Sequence, residues 1–217
     1  MTFLFYFGYQ LSKNLTRFLY RPIILGQENF PADGGFILAS NHISNFDPPI
    51  VGSWCPREVY FLAKKELFPN KLAAAFFRKI NAIPVKRGAI DRTAIEQCIR
   101  KINEGYGMTI FPEGTRYKNG LLHPPKPGIG IIANRTRCPI IPAYIHGTNR
   151  LKECLTGRVK MLIAYGKPLA ADWAASFPPE KESYIKIAEQ IMNKIAALRD
   201  EIHQKYTLKK NKKTRID

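Results

Sequence analysis

The sequence predicts an α/β fold: a single layered domain whose mixed, largely parallel sheet is flanked by helices, with an amphipathic helix at its N-terminus. Three observations predict it. Short apolar runs alternate with segments of helical periodicity along most of the chain. Its 217 residues suffice for one sizeable core and are short for two. Apolar residues make up 45% of the chain, enough to set disorder aside. The expected divisions are a helix over 1–22, a domain over 23–205 and a basic tail over 206–217.

In residues 1–22, Phe3, Leu4, Phe7, Leu11, Leu15, Phe18 and Leu19 recur at helical spacing, and Pro22 stops the pattern. Gln10, Lys13, Asn14, Arg17 and Arg21 fall on the other side. Aromatics and leucines opposite a stripe with cations and no acid fit an interfacial membrane helix; a helix docked on its own domain is the alternative reading. Strands are expected at Phe36–Ala39, Val59–Ala63, Ala82–Val85, Thr109–Phe111, Ile140–His146 and Val159–Tyr165. Between them, Leu72, Ala73, Phe76, Phe77 and Ile80 share one helical face. Asp91 can cap a helix carrying Ala94, Ile95, Cys98, Ile99 and Ile102 that ends near Gly105. A last helix, about Glu182–His203, is expected to bury Ile187, Ile191, Ile195 and Leu198.

The net charge of +17 calls for an anionic partner: nucleic acid, an anionic membrane or a phosphorylated substrate. No apolar run approaches the roughly 18 residues that span a bilayer, and the N-terminus lacks the charged start of a secretory signal. Peripheral attachment to the cytoplasmic face of the cell membrane is therefore expected. Cys55, Cys98, Cys138 and Cys154 fit neither zinc nor redox spacing and read as reduced, buried thiols.

His42 and Asp47 follow the first strong strand, and their separation of five suits no regular element. In a strand they would point to opposite faces; in a helix they would sit about 140° apart. They meet only if the chain bends. Asn45 tolerates turn angles, and Pro48 biases Asp47 toward an extended conformation. An imidazole held by a carboxylate can take a proton from a hydroxyl. The rival reading makes Asp47 a helix N-cap with Pro48 at the first helical position.

Downstream, Phe111-Pro112-Glu113-Gly114-Thr115-Arg116 follows another strand. Gly114 permits a tight turn. Arg116 then projects at a strand's C-terminal end, where open α/β sheets bind ligands, and its guanidinium suits phosphate. Lys86 and Arg87 end a further strand in the same way. Glu113 is open to two roles, binding a substrate hydroxyl or orienting Arg116; Thr115 reads as a phosphate or turn ligand. There is no Gly-x-Ser-x-Gly elbow, no nucleotide phosphate loop and no metal spacing among the histidines.

Together these blocks resemble the glycerophospholipid acyltransferase family, most closely its bacterial 1-acylglycerol-3-phosphate (lysophosphatidate) branch. Asn41–Asp47 resembles the family's catalytic His, four residues, Asp motif. Ala82–Arg87 resembles the second block, whose arginine binds glycerol phosphate, with Asn81 where glycine is usual. Phe111–Arg116 and Cys138–Ala143 resemble the third and fourth blocks. The resemblance covers about 23–169. It implies that His42 is the general base, oriented by Asp47. Arg87, Arg116 and Lys86 would anchor phosphate, with Glu113, Gly114 and Thr115 at the substrate. It implies an acyl thioester of coenzyme A or acyl carrier protein as co-substrate and no bound cofactor. The partners implied are lysophosphatidate and an anionic membrane surface, not nucleic acid.

Overall fold

A computed structural model describes residues 3–86, 88 and 90–208. The elements in chain order are α1 (Phe3–Tyr20), β1 (Ile23–Leu25), β2 (Phe36–Ser40), α2 (Asp47–Trp54), β3 (Val59–Lys64), α3 (Lys71–Lys79) and β4 (Ala82–Val85). They continue with α4 (Arg92–Asn103), β5 (Gly107–Ile110), α5 (Gly128–Thr136), β6 (Ile140–His146), α6 (Leu151–Leu155), β7 (Leu162–Tyr165) and α7 (Lys181–Leu208). Residues 209–217, most of the expected basic tail, lie outside the described residues.

One sheet of seven strands runs in the order β1-β7-β6-β2-β5-β3-β4. All pairs are parallel except β6 with β7, so the sheet is mixed and largely parallel as expected. Parallel strands need helical crossovers, which cover both faces. Strand alternation then builds two cores. Ile37, Ala39, Met108 and Ile140 face α4, α5 and α7, while Phe36, Leu38, Ile141 and Ile145 face α2 and its neighbours. All four cysteines are free and buried.

Most expected elements are present with shifts at their ends. Asp91 caps α4 by accepting the Ala94 N–H at 3.1 Å. The strand expected from Val159 begins at Leu162, and the one expected at Thr109–Phe111 is Gly107–Ile110. β1 and α5 have no counterpart among the expected elements. β1 is three residues long and is a strand only because it pairs with β7. In α3 the expected core face is only half right: Ala73, Phe77 and Ile80 are half-buried, but Leu72 and Phe76 stand in solvent.

The N-terminal helix is docked on its own domain, the alternative reading of its sequence, and it also presents an apolar face outward. Its inner face packs on α2, where Tyr9 donates to the Cys55 carbonyl at 2.7 Å and Trp54 Nε1 donates to Thr16 Oγ1 at 3.1 Å. Its outer face leaves Phe3, Tyr6, Phe7, Leu11, Leu15 and Phe18 more than half exposed. Tyr9, Ser12 and Thr16 make the docked face while most of the apolar stripe faces out, the reverse of an ordinary surface helix; Asn14 and Arg17 also stay exposed.

Candidate active site

Parallel strands β2, β4 and β5 end at one edge of the sheet, and the loops that leave them converge there. The loop after β2 carries His42. Asn41 fixes this loop to β6, donating Nδ2–H to the Ile145 carbonyl at 3.0 Å and accepting the Ile145 N–H at 2.8 Å. The chain then turns at Asn45 and Phe46 and enters α2 at Asp47.

That turn brings His42 and Asp47 together. Their Nδ1 and Oδ2 atoms are 2.9 Å apart, with His42 7% exposed and Asp47 fully buried. Asp47 Oδ2 also accepts the N–H groups of Ile43 and Ser44, each at 2.7 Å. Its Oδ1 accepts the Thr148 hydroxyl at 2.5 Å. The expectation that Pro48 holds Asp47 extended is corrected: Asp47 is the first residue of α2. Proline is tolerated in a first turn, where its missing N–H has no partner to lose. Nor is Asp47 the N-cap, a position held by Phe46; its carboxylate reaches back to the loop.

Asp47 on Nδ1 fixes the tautomer that leaves Nε2 able to accept a proton. The ring stacks on Phe111, centroids 4.1 Å apart, and His42 lines a cavity of about 1000 Å³. Phe111 therefore leaves the strand in which it was expected and supports the imidazole.

Glu113 is placed to brace the loop of His42 rather than to orient Arg116. It is 1% exposed, does not line the cavity and does not pair with Arg116. Oε2 accepts the His42 N–H at 2.9 Å and Oε1 the His123 N–H at 3.0 Å. Burial raises its pKa above the usual carboxylate value, and the two N–H groups offset that rise only in part. Arg116 instead hydrogen-bonds Asn45 Oδ1 through one terminal nitrogen, and its Nε is buried without a partner. Lys86, Gly114, Thr115 and Arg116 all line the cavity with His42. Gly114 has φ 65°, the left-handed turn expected of it. Arg87 lies outside the described residues. Asn81, where the family usually has glycine, adopts φ 63°, a conformation that asparagine tolerates better than most residues.

Thr148 escaped the sequence reading because it lies 101 residues from Asp47. Its one signal was its place just after β6, at the same strand-end edge. From His42 the cavity runs inward to Ile95 and Cys98 of α4 and Ile129 and Ile132 of α5, all buried and apolar. One space thus joins an acid–base pair, cations and an apolar pouch.

Comparison with known proteins agrees with this geometry. The acyltransferase family model matches residues 21–146, more than half of the chain, and the protein belongs to that family. It is 35% identical over 184 residues to the 1-acyl-sn-glycerol-3-phosphate acyltransferase of Bacillus subtilis, covering 83% of this chain and 89% of that one. It is 27% identical to the Streptococcus pneumoniae protein of the same name, covering 82% of this chain and 66% of that one. The crystal structure of the 1-acyl-sn-glycerophosphate (LPA) acyltransferase PlsC from Thermotoga maritima superposes with a TM-score of 0.68 at 25% identity. That match covers 90% of this chain and 79% of the other.

Proposed function

We propose that this acyltransferase moves a fatty-acyl group from an acyl thioester to the 2-hydroxyl of 1-acylglycerol 3-phosphate, giving phosphatidate. The observation that carries the reading is the single cavity lined by His42, Arg116 and the apolar pouch between α4 and α5. The relatives' names agree with the acceptor.

His42 Nε2 takes the proton of the acceptor hydroxyl as its oxygen attacks the thioester carbonyl. A tetrahedral intermediate forms, its collapse breaks the C–S bond, and the leaving sulfur recovers the proton from the imidazolium. Asp47 stabilises that cation; its buried carboxylate, with four hydrogen-bond contacts, is fixed before the reaction begins. Arg116, Lys86 and Arg87 hold the acceptor phosphate, and holding both partners makes the encounter an oriented one. The Arg116 guanidinium, which lines the cavity, suits an anionic oxygen. Gly114 and Thr115 shape the turn beside that phosphate. Glu113 acts through His42, bracing its backbone rather than touching substrate. An acyl chain fits the apolar pouch.

No helix among the described residues is long and apolar enough to cross a membrane. The exposed stripe of α1 supports peripheral attachment to an anionic bilayer at the cytoplasmic face. The defining experiment incubates purified protein with lysophosphatidate, glycerol 3-phosphate or a lysophospholipid. Labelled acyl-coenzyme A and acyl-carrier-protein donors are compared, and products are identified by mass. Phosphatidate as the dominant product is expected. Faster acylation of glycerol 3-phosphate would replace the acceptor while leaving the acid–base pair in place.

A further inference from the structure

We propose that the outer face of α3 is a second membrane-contact surface, which seats the mouth of the cavity on an anionic bilayer. It rests on the membrane reading above but on residues other than those of α1. No residue of α3 is fully buried. Leu72 is 82% exposed and Phe76 49%, and at four residues' spacing they stand side by side on the outside of the helix. Leu67 and Ile90, both exposed, continue the apolar surface and also line the cavity. Single exposed apolar residues are ordinary, but a group around a cavity mouth marks a contact surface.

The charge around this group selects the occupant. Among the described residues, Lys64, Lys65, Lys71 and Arg78 are all exposed there, against one exposed carboxylate, Glu66. Apolar tips set among cations match an anionic lipid surface, whose headgroups meet the cations while its acyl region receives the tips.

Topology places this surface with the first one. The crossovers β2-α2-β3 and β3-α3-β4 run in the same direction across the sheet. Right-handed crossovers in one direction lie on one face, so α2 and α3 share a layer, and α1 packs on α2. Phe46, 54% exposed just before α2, adds an aromatic to that layer. With the mouth on the bilayer, a lipid chain passes from its own tails into the apolar pouch without crossing water.

The test uses the full chain and needs no turnover. Vesicles of phosphatidylglycerol mixed with phosphatidylcholine are compared with phosphatidylcholine alone by co-sedimentation. The Leu72→Asp/Phe76→Asp variant should melt like the parent, because both side chains are exposed, yet partition to anionic vesicles about tenfold less. Its acylation of detergent-dissolved lysophosphatidate should be unchanged while that of vesicle-borne lysophosphatidate falls. A Phe76→Trp variant should shift its emission to the blue on anionic vesicles and be quenched by brominated lipid. Equal sedimentation of parent and double variant, or a tryptophan that bromine does not quench, overturns the proposal. Sedimentation and quenching are read without an acyl acceptor, so failure of the assigned reaction and failure of this surface are separate results.

Discussion

Asp47 is the residue on which the site's geometry turns. Its Oδ2 holds the imidazole and two N–H groups, and its Oδ1 rests on Thr148. His42→Ala should lower turnover by about 10²–10⁴-fold with the fold intact, the usual contribution of a positioned base. Asp47→Asn keeps the shape and removes the charge, so kcat should fall well below the parent with less change in KM. Wild-type turnover in His42→Ala would falsify the assignment. Thr148→Val removes the hydroxyl that donates to Oδ1 and keeps the volume. A hydrogen bond to a charged group is worth about 1.5–3 kcal/mol, so kcat should drop by about ten- to a hundredfold. The lower limb of its pH–rate profile should move, and Thr148→Ser should restore both; a loss that serine does not rescue would mean that Thr148 serves packing alone. The His–Asp pair was legible because both partners sit in one bend. Thr148 and the bracing role of Glu113 were not, because they depend on strands adjacent in space and far apart in sequence.

Elements were legible where their periodicity is set by the core, as in α4 and α7, and illegible where a neighbour decides. α5 carries Gly128 and Gly130 in its first turn, after Pro127, which argues against a helix. The reason lies in α7: a Cβ on Gly130 would stand 2.0 Å from the Tyr184 carbonyl oxygen. Gly130→Ala should therefore lower the melting temperature despite a helix-propensity gain of about 1 kcal/mol; an unchanged or higher value would show that α7 yields easily.

The contact of β6 with α7 should also respond to acid. The pKa of His146 is pushed down to about 4, first by burial and then by His203 and Arg150, and burial lowers that of His203 as well. Between about pH 6.5 and 4 the unfolded chain binds protons at these sites that the folded chain refuses. Stability should be fully present above pH 6.5 and fall as pH drops toward 4, with a slope of at most about 1.4 kcal/mol per pH unit for each histidine. His146→Gln should flatten the fall in a series of thermal melts, and a slope equal to the parent's would assign acid sensitivity elsewhere.

At the scale of the molecule, the proposed membrane attachment combines a charge of +17 with an outward apolar stripe on α1. Binding to anionic vesicles should weaken as salt rises through the screening range yet persist at about 1 M, because burial of apolar surface is not screened. Phe7→Asp/Phe18→Asp is a cleaner test than deleting 1–22, which would also uncover Trp54 and Cys55. That variant should lose most of the salt-resistant binding, and retention of it would move the anchor to another face. The fold class was readable throughout because alternating strands and helices leave few layered solutions. The inverted use of α1 was not, since periodicity shows which residues share a face but not which way the face points.

The order in which the strands lie has a consequence for how the protein is made. β2 leads into the histidine loop yet sits between β5 and β6, so its neighbours on both sides are synthesised long after it. A ribosome that has released the first hundred residues has supplied the acid–base pair with neither Glu113 nor Thr148 nor the strands that bury it. Pairing between strands so far apart in sequence is slow to form, because the loop-closure entropy comes first. The acid–base pair should therefore be inactive until β6 has emerged and joined the sheet.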